Sequence, residues 1–408
     1  MSRTRKAGFI ICFLIGSQLV RFCLENMFLY EATSEDTIKP GKAERALPAA
    51  SEYTQGSRYG IHYFYKSEGF GNENWNPYDV TLVLHGSVDR LHRLIEITRV
   101  WRGPISMSVF APAQDASFLD DAIDGLRLCW TSIRKTTSFH IVYPTTAKGN
   151  TSNIGSFVYL SCKDIIRRLR RKVKTDAAEK SIPYPHNVMR NVAHKGVITS
   201  HVLHIDADLK PTARLRDRLL EFLKLRTQTN NQYQARQKDL YILPVFEVRH
   251  EAGPIRNKTD LFSAFEKRQA RPYMQELCPQ CHKATNYELW FRSSSSTNIT
   301  ALHTSYTVRN IREWEPYFVS VRKRPHLDER ITSYGHDRLV HMCELQANGF
   351  KFHVLSDEFL LHHGYRNKAT MSQNERSRKE QRTNFYSKFI KVLGKYNYVG
   401  SKYSKCYH

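Results

Sequence analysis

The residues best suited to chemistry lie in the segment His201-Val-Leu-His-Ile-Asp206-Ala-Asp208-Leu-Lys-Pro211. An apolar run there delivers two carboxylates at i and i+2. The alternation of an extended chain predicts that both project to one side where the strand ends. Hard oxygen ligands at that spacing suit Mg2+ or Mn2+, and a cation held this way can bridge a diphosphate. The pattern alone is unspecific, since a chain of ordinary composition carries about one Asp-x-Asp by chance. A plainer reading makes the pair turn aspartates capping a helix that starts near Thr212. A second candidate closes the run Phe352-His-Val-Leu-Ser-Asp-Glu-Phe-Leu-Leu-His362-His363-Gly364-Tyr365. Its two imidazoles have the chemistry to complete a Mn2+ coordination sphere, although a His-His pair is more often a surface feature. Neither a P-loop nor a Gly-x-Gly-x-x-Gly is present, which excludes the usual nucleotide cradles. Cys278-Pro-Gln-Cys281-His282 has no second knuckle, so a disulfide or free thiols is expected there rather than structural zinc.

Carboxylates so placed need a scaffold, and the hydropathy pattern predicts an alternating one. Residues 80–84 form a β-branched and apolar run. Residues 87–101 carry Leu91, Leu94, Ile95, Ile97 and Val100 at helical spacing, Gly103-Pro104 stops that helix, and 105–110 reads as the next strand. Strand, helix and strand within about thirty residues make a βαβ unit, which implies a parallel sheet. The alternation continues with a helix over 120–134, a strand over 138–143, and a helix over 182–195 entered through Pro183 and Pro185. A strand over 201–205, a helix over 212–225, a strand over 240–248, a helix over 337–348 and a strand over 352–356 follow. The expectation is one α/β domain over 77–408, with its sites at the carboxyl ends of the strands.

Ahead of that domain, residues 1–6 are basic and 7–20 mostly apolar; extended to residue 30 the stretch reaches membrane-spanning length but includes Arg21 and Glu25. It reads as a signal anchor over 7–30 with its basic end in the cytosol, or as a signal peptide. Residues 31–76 are polar, broken by Pro and Gly, and read as a stem or linker. Sequons at Asn150, Asn257 and Asn298 agree with a secretory route, although about one or two arise by chance at this length. The chain has 408 residues, eight of them Cys, and 41% are hydrophobic, which excludes a mainly disordered chain and a disulfide-dense mini-scaffold. The formal charge is +23, with basic runs at Arg167 to Lys174 and Arg376 to Arg382. No zinc-finger, basic-zipper or RNA-recognition pattern accompanies them, so nucleic acid is not the expected partner.

Taken together, several segments are recognisable. Asp79-Val-Thr-Leu-Val-Leu-His-Gly-Ser-Val-Asp89-Arg-Leu, followed by Trp101-Arg-Gly-Pro-Ile-Ser, resembles the opening of the glucuronyltransferase family that includes the LARGE-type and β-1,4-glucuronyltransferase 1 enzymes (glycosyltransferase family 49). Asn191-Val-Ala-His-Lys195, Ile205-Asp-Ala-Asp208, Leu243-Pro-Val-Phe-Glu247, Thr285-Asn286, Glu315-Pro-Tyr317, Tyr334-Gly-His-Asp337, Phe350-Lys-Phe-His-Val-Leu and Phe359-Leu-Leu-His362 continue the resemblance in collinear order, from about residue 78 to 400.

The resemblance implies a GT-A fold, a Rossmann-like mixed sheet flanked by helices. It also implies a UDP-sugar donor such as UDP-glucuronate, Mn2+ with Mg2+ as the substitute, and inversion at the anomeric carbon. By position, Asp206 and Asp208 would bind the metal and the UDP diphosphate, with His362 as third protein ligand, and Leu84 and Ser87 would border the uridine. Inversion needs a base for the acceptor hydroxyl, for which Asp337 is the candidate and Glu315 the alternative. Asn286 and Tyr317 would contact substrate. An anionic donor sugar would pair with Arg or Lys, and Arg309, Arg312, Arg322 and Lys323 are available. The expected protein is a single-pass Golgi enzyme with its catalytic domain in the lumen, acting on a glycan or glycoprotein acceptor such as a xylose-terminated chain. The same fold with another UDP-sugar, and a catalytically silent glycan-binding relative, are the alternatives.

Overall fold

The computed structural model describes residues 52–54, 58–112, 115–145, 161–175, 184–228, 237–293, 301–309, 311, 313–331 and 337–367. Its centre is a mixed sheet of ten strands. In chain order these are β1 (Glu52–Tyr53), β2 (Tyr59–Tyr65), β3 (Val80–Ser87), β4 (Ile105–Phe110), β5 (Thr137–Pro144), β6 (His201–His204), β8 (Asp239–Leu243), β11 (Thr304–Val308), β12 (Tyr317–Val321) and β13 (Lys351–Leu355). A second sheet holds β7 (Leu209–Pro211), β9 (Val245–Val248), β10 (Ala270–Pro272) and β14 (Leu360–His363). The large sheet runs in the order β1-β2-β5-β4-β3-β6-β12-β8-β13-β11 and the small one in the order β10-β9-β14-β7. Strands β3, β4, β5 and β6 are mutually parallel, and β12 enters antiparallel between β6 and β8.

Helices cover both faces of the parallel strands, which is why β4 is buried along its whole length and reads as a continuous rather than an alternating apolar run. The helix His186–Lys195 is fastened to the sheet by polar side chains: Ser106 Oγ donates to the Ala193 carbonyl at 2.6 Å and Ser108 Oγ to the Met189 carbonyl at 2.8 Å. At its end, a Cβ on Gly196 would lie 2.1 Å from His140 Nε2, so the close approach demands glycine. Asn191 then clamps the return chain, donating to the Leu327 carbonyl at 2.8 Å and accepting from its N–H at 2.9 Å. These bonds hold Arg190 rigidly beside the end of β6.

Three connections pass from the large sheet into the small one: β6 to β7, β8 to β9, and β13 to β14. The single strand expected over 240–248 is therefore two, broken where Pro244 lacks an N–H for either ladder. Other elements fall close to expectation. The helix expected over 120–134 is split into Ala116–Cys129 and Thr131–Thr136, and the first turns of the one expected from Ser87 are a tighter 3-10 segment, Val88–Arg93.

The largest departure is at the front. Tyr59–Tyr65, within the stretch expected to be linker, is strand β2 and pairs antiparallel with β5. Its register shifts between His62 and Tyr65, and Phe64 takes a φ of 53°, so the period-two signal that would reveal a strand is interrupted. The segment 7–30 lies outside the described residues, among which no helix is long and apolar enough to cross a membrane. Disulfides join Cys129 to Cys162 and Cys278 to Cys281, which decides the latter pair in favour of a disulfide.

Candidate functional site

Between the two sheets the chain makes a tight turn, and the two aspartates sit in it. Ile205 still donates to the Val83 carbonyl at 3.1 Å, but Leu209 N–H then closes back on the Asp206 carbonyl at 2.9 Å. Because the strand has ended at His204, strand alternation no longer applies, and the carboxylates diverge instead of sharing one side. Asp206 Oδ2 accepts from the Tyr317 hydroxyl at 2.7 Å, and Oδ1 accepts from Arg338 Nη2 at 2.6 Å. His85 Nε2 lies 3.4 Å and Arg190 Nη2 3.9 Å from the same Oδ1. Burial alone would raise this carboxyl, but Arg338, His85 and Arg190 outweigh it and hold Asp206 well below the usual carboxylate range. Arg338 also lies over the Tyr317 ring at 4.2 Å, while His282, kept neutral by burial with its pKa pushed down to about 3, stacks on that ring at 6.4 Å.

Asp208 points to the other side of the turn. Its Oδ2 stands 3.5 Å from both His362 Nε2 and Arg366 Nη2, and its Oδ1 is buried without a hydrogen-bond partner. His362 is brought there by β14, which pairs His362 with Leu209 on one side and with Glu247 on the other. Its Nδ1 donates to the Gly364 carbonyl at 2.8 Å, and Gly364 presents that carbonyl from a left-handed conformation with φ 94°. That bond orients the ring so that Nε2 faces the carboxylate. Burial raises the Asp208 carboxyl, but His362 and Arg366 reverse this and lower it.

Two small cavities flank the turn. One, of about 50 Å³, is bordered by Asp208, His362, His363, Lys210, Arg93 and Glu96. The other, of about 40 Å³, lies on the Asp206 side. The donor set on the Asp208 side fits a divalent cation: an unsatisfied carboxylate oxygen and an imidazole whose tautomer is set by a backbone carbonyl. The expected set of three ligands is not assembled, because Asp206 is turned onto Tyr317 and Arg338. Among the described residues no three His, Cys, Asp or Glu side chains converge as a metal-binding group.

Residues 79–398 match the protein family described as "Glycosyl-transferase for dystroglycan". The chain belongs to this family. It is a glycosyltransferase, 30% identical over 326 residues to human beta-1,4-glucuronyltransferase 1, covering 78% of this chain and 76% of that one. It is 26% identical over 290 residues to mouse xylosyl- and glucuronyltransferase LARGE2, covering 70% of this chain but only 34% of that longer protein. Among solved structures, S. aureus TarS in complex with UDP aligns over 70% of this chain and 60% of its own, with a TM-score of 0.34 and 11% identity, too distant to carry an argument.

As a member of this family, the chain can be read position by position. Leu84 is wholly buried in the main core, so its side chain cannot border a ligand, whereas Ser87 ends β3 and donates to the Asp89 carboxylate. Tyr317 is in the site through its hydroxyl. Glu315 is partly exposed two residues earlier, and its N–H donates to the Cys281 carbonyl at 2.8 Å. Asp337 opens the helix Asp337–Ala347 just before Arg338; its side chain lies outside the described residues. Asn286 is exposed, with φ 48°, and its side-chain oxygen caps the helix Tyr287–Arg292 by accepting from Leu289 N–H at 3.1 Å.

Arg322 and Lys323 follow the far end of β12 from Tyr317, roughly 16 Å away at about 3.3 Å per residue, so neither reaches Asp206. Arg309 is exposed beyond β11, and Arg312 lies outside the described residues. Near the aspartates stand Lys210, inside the quoted segment, and Arg190, Arg338, Arg366 and Arg93, which no motif includes. Arg190 immediately precedes a matched segment and Arg338 immediately follows one, which was the available signal. Of the sequons, Asn257 is exposed and caps the helix Lys258–Glu266 through its side-chain oxygen; Asn150 and Asn298 lie outside the described residues.

Proposed function

We propose that this glycosyltransferase transfers glucuronic acid from UDP-glucuronate, with inversion, to a glycan acceptor such as a xylose-terminated chain, using Mn2+ or Mg2+. The observation that carries the metal part is the pair Asp208 and His362, with one carboxylate oxygen unpartnered and the imidazole Nε2 facing the other at 3.5 Å. These two residues would hold the cation, which when bound neutralises charge developing on the leaving UDP. Around them the chain contributes its own cations: Arg366 on Asp208, and Arg93 and Lys210 on the wall of the same cavity, a setting that favours a diphosphate. Tyr317 and Arg338 fix Asp206 in its ionised form on the opposite side. Asp337, or Glu315, would take the proton of the acceptor hydroxyl as the new bond forms. The names of the relatives support the donor sugar.

The Cys129–Cys162 bridge supports a lumenal setting, since such bonds persist in oxidising compartments. In our reading residues 7–30 anchor the chain in the Golgi membrane, with the catalytic domain in the lumen. The test is UDP release by the full chain over a panel of UDP-sugars with xylosyl acceptors, in Mn2+ or in EDTA. We expect metal-dependent turnover of UDP-glucuronate that falls to background in Asp208→Ala. No turnover of any donor, together with no Mn2+-dependent binding of UDP, would overturn the proposal.

A further inference from the structure

The cavity beside Asp206 holds more positive charge than the turn can balance. Arg190, Arg324 and Arg338 are on its wall with His85 and His341, and Asp206 is the only carboxylate among the described residues that line it. Arg190 and Arg338 share that carboxylate. Arg324, at 8% exposure, does not reach it. Its Nη1 donates to His341 Nε2 at 2.7 Å and to its neighbour's carbonyl at 3.2 Å, and its Nη2 lies 3.4 Å from His194 Nδ1. Its Nε is buried without a partner, and Glu344 acts on it only at a distance, as a charge rather than as a bonded partner.

His341 repeats the pattern. Since its Nε2 accepts from Arg324, its proton sits on Nδ1, which is buried without a hydrogen-bond partner; the Glu344 carboxylate is 3.8 Å away. Burial and the Arg324 charge keep this ring neutral. A guanidinium taken out of water with only a distant carboxylate to balance it is unfavourable, and each unmet buried donor adds to that cost. Ile205, Pro316, Phe318, Leu327 and Met342 on the wall are apolar and do nothing to relieve this, while Tyr317 is bonded to Asp206 and His204 to His194.

Size limits what can enter. A water needs about 10–15 Å³ of such space, so a cavity of about 40 Å³ takes a group of roughly three heavy atoms. A carboxylate fits and a diphosphate does not. The turn also separates this cavity from the side where Asp208, Lys210 and Arg93 suit phosphate.

We infer that the cavity is the subsite for the carboxylate of a hexuronic acid, and that Arg324 with His341 selects a uronate donor over a neutral hexose. The inference rests on the reading of this site as one for a UDP-sugar. A hexose would bring a hydroxymethyl group to the cavity and leave Arg324 with no carboxylate in contact with it. A uronate carboxylate meets both Arg324 and the Nδ1 proton of His341 with charge-assisted hydrogen bonds.

The experiment is competition binding to the full chain in Mn2+, comparing UDP, UDP-glucuronate and UDP-glucose for the wild type, Arg324→Gln and His341→Gln, with folding checked by thermal melting. The wild type should bind UDP-glucuronate at least tenfold more tightly than UDP-glucose. Arg324→Gln should remove that preference while the Kd for UDP stays within twofold. His341→Gln should narrow the preference, and it carries the test if Arg324→Gln does not fold. Equal affinity of the wild type for the two sugars would overturn the inference while leaving the UDP-sugar reading intact. Equal weakening of UDP and UDP-glucuronate in the variants would overturn it by assigning the cavity to the diphosphate. A wild type that binds no UDP would remove the underlying reading, and the inference with it.

Discussion

Two aspartates of one turn are held differently. Asp206 is saturated by a tyrosine hydroxyl and a guanidinium, while Asp208 keeps a buried oxygen in reserve beside an oriented imidazole. Removing the hydroxyl in Tyr317→Phe deletes a hydrogen bond to a charged group, worth about 1.5–3 kcal/mol. The expected result is a fall in kcat/KM of roughly ten- to a hundredfold, read by steady-state kinetics. Asp337→Asn should lower kcat by about 10²- to 10⁴-fold with the Kd for UDP unchanged, whereas Glu315→Gln should leave kcat within about tenfold of wild type. The opposite ranking of these two variants would move the base to Glu315.

At the scale of elements, the site is a product of strands that change sheets. The β6–β7 turn supplies both aspartates, and β13–β14 carries the chain from the large sheet to His362. What holds the imidazole is the short turn after β14, where Gly364 offers its carbonyl from a φ of 94°. A Cβ there would also lie 2.9 Å from His250 Nε2. Gly364→Ala should therefore tilt His362 and weaken Mn2+ binding by about 10–100-fold, the usual size of such supporting contacts. Calorimetric titration of Mn2+ in the presence of UDP would measure it, and unchanged affinity would show that His362 is held by other means. The elements themselves were largely readable: the strand–helix alternation from Val80 onward followed from apolar spacing, because helices and buried strands leave different periods. Strand β2 was not, since a register shift and a left-handed Phe64 break its period, and its apolar face exists only once β5 lies beside it.

For the whole molecule, several histidines are buried without charge. Burial pushes His140 and His282 down to about 3, and burial with Arg324 pushes His194 to about 2. In the unfolded chain each takes a proton near pH 6.5. Their contribution is thus fully present above about pH 6.5 and is lost as the pH falls from there toward the folded values, because only the unfolded state binds those protons. Each site weakens the fold by up to about 1.4 kcal/mol per pH unit in that window. Urea midpoints should fall clearly between pH 7.5 and pH 5.0, and a midpoint that stayed constant would mean that these rings find partners for a proton.

The sequence by itself determined the α/β alternation, the choice of Asp206, Asp208, Tyr317 and His362 as candidates, and membership of a glycosyltransferase family, because residue type and collinear spacing survive without coordinates. Only the tertiary structure decided how those residues face. The two aspartates diverge because a turn, not a strand, connects the sheets. Leu84 is withdrawn into the core, and the nearby cations are Arg190, Arg324 and Arg338 rather than Arg322 and Lys323. Side-chain direction depends on where each strand ends and which helix packs across it, and residues more than a hundred positions apart settle that.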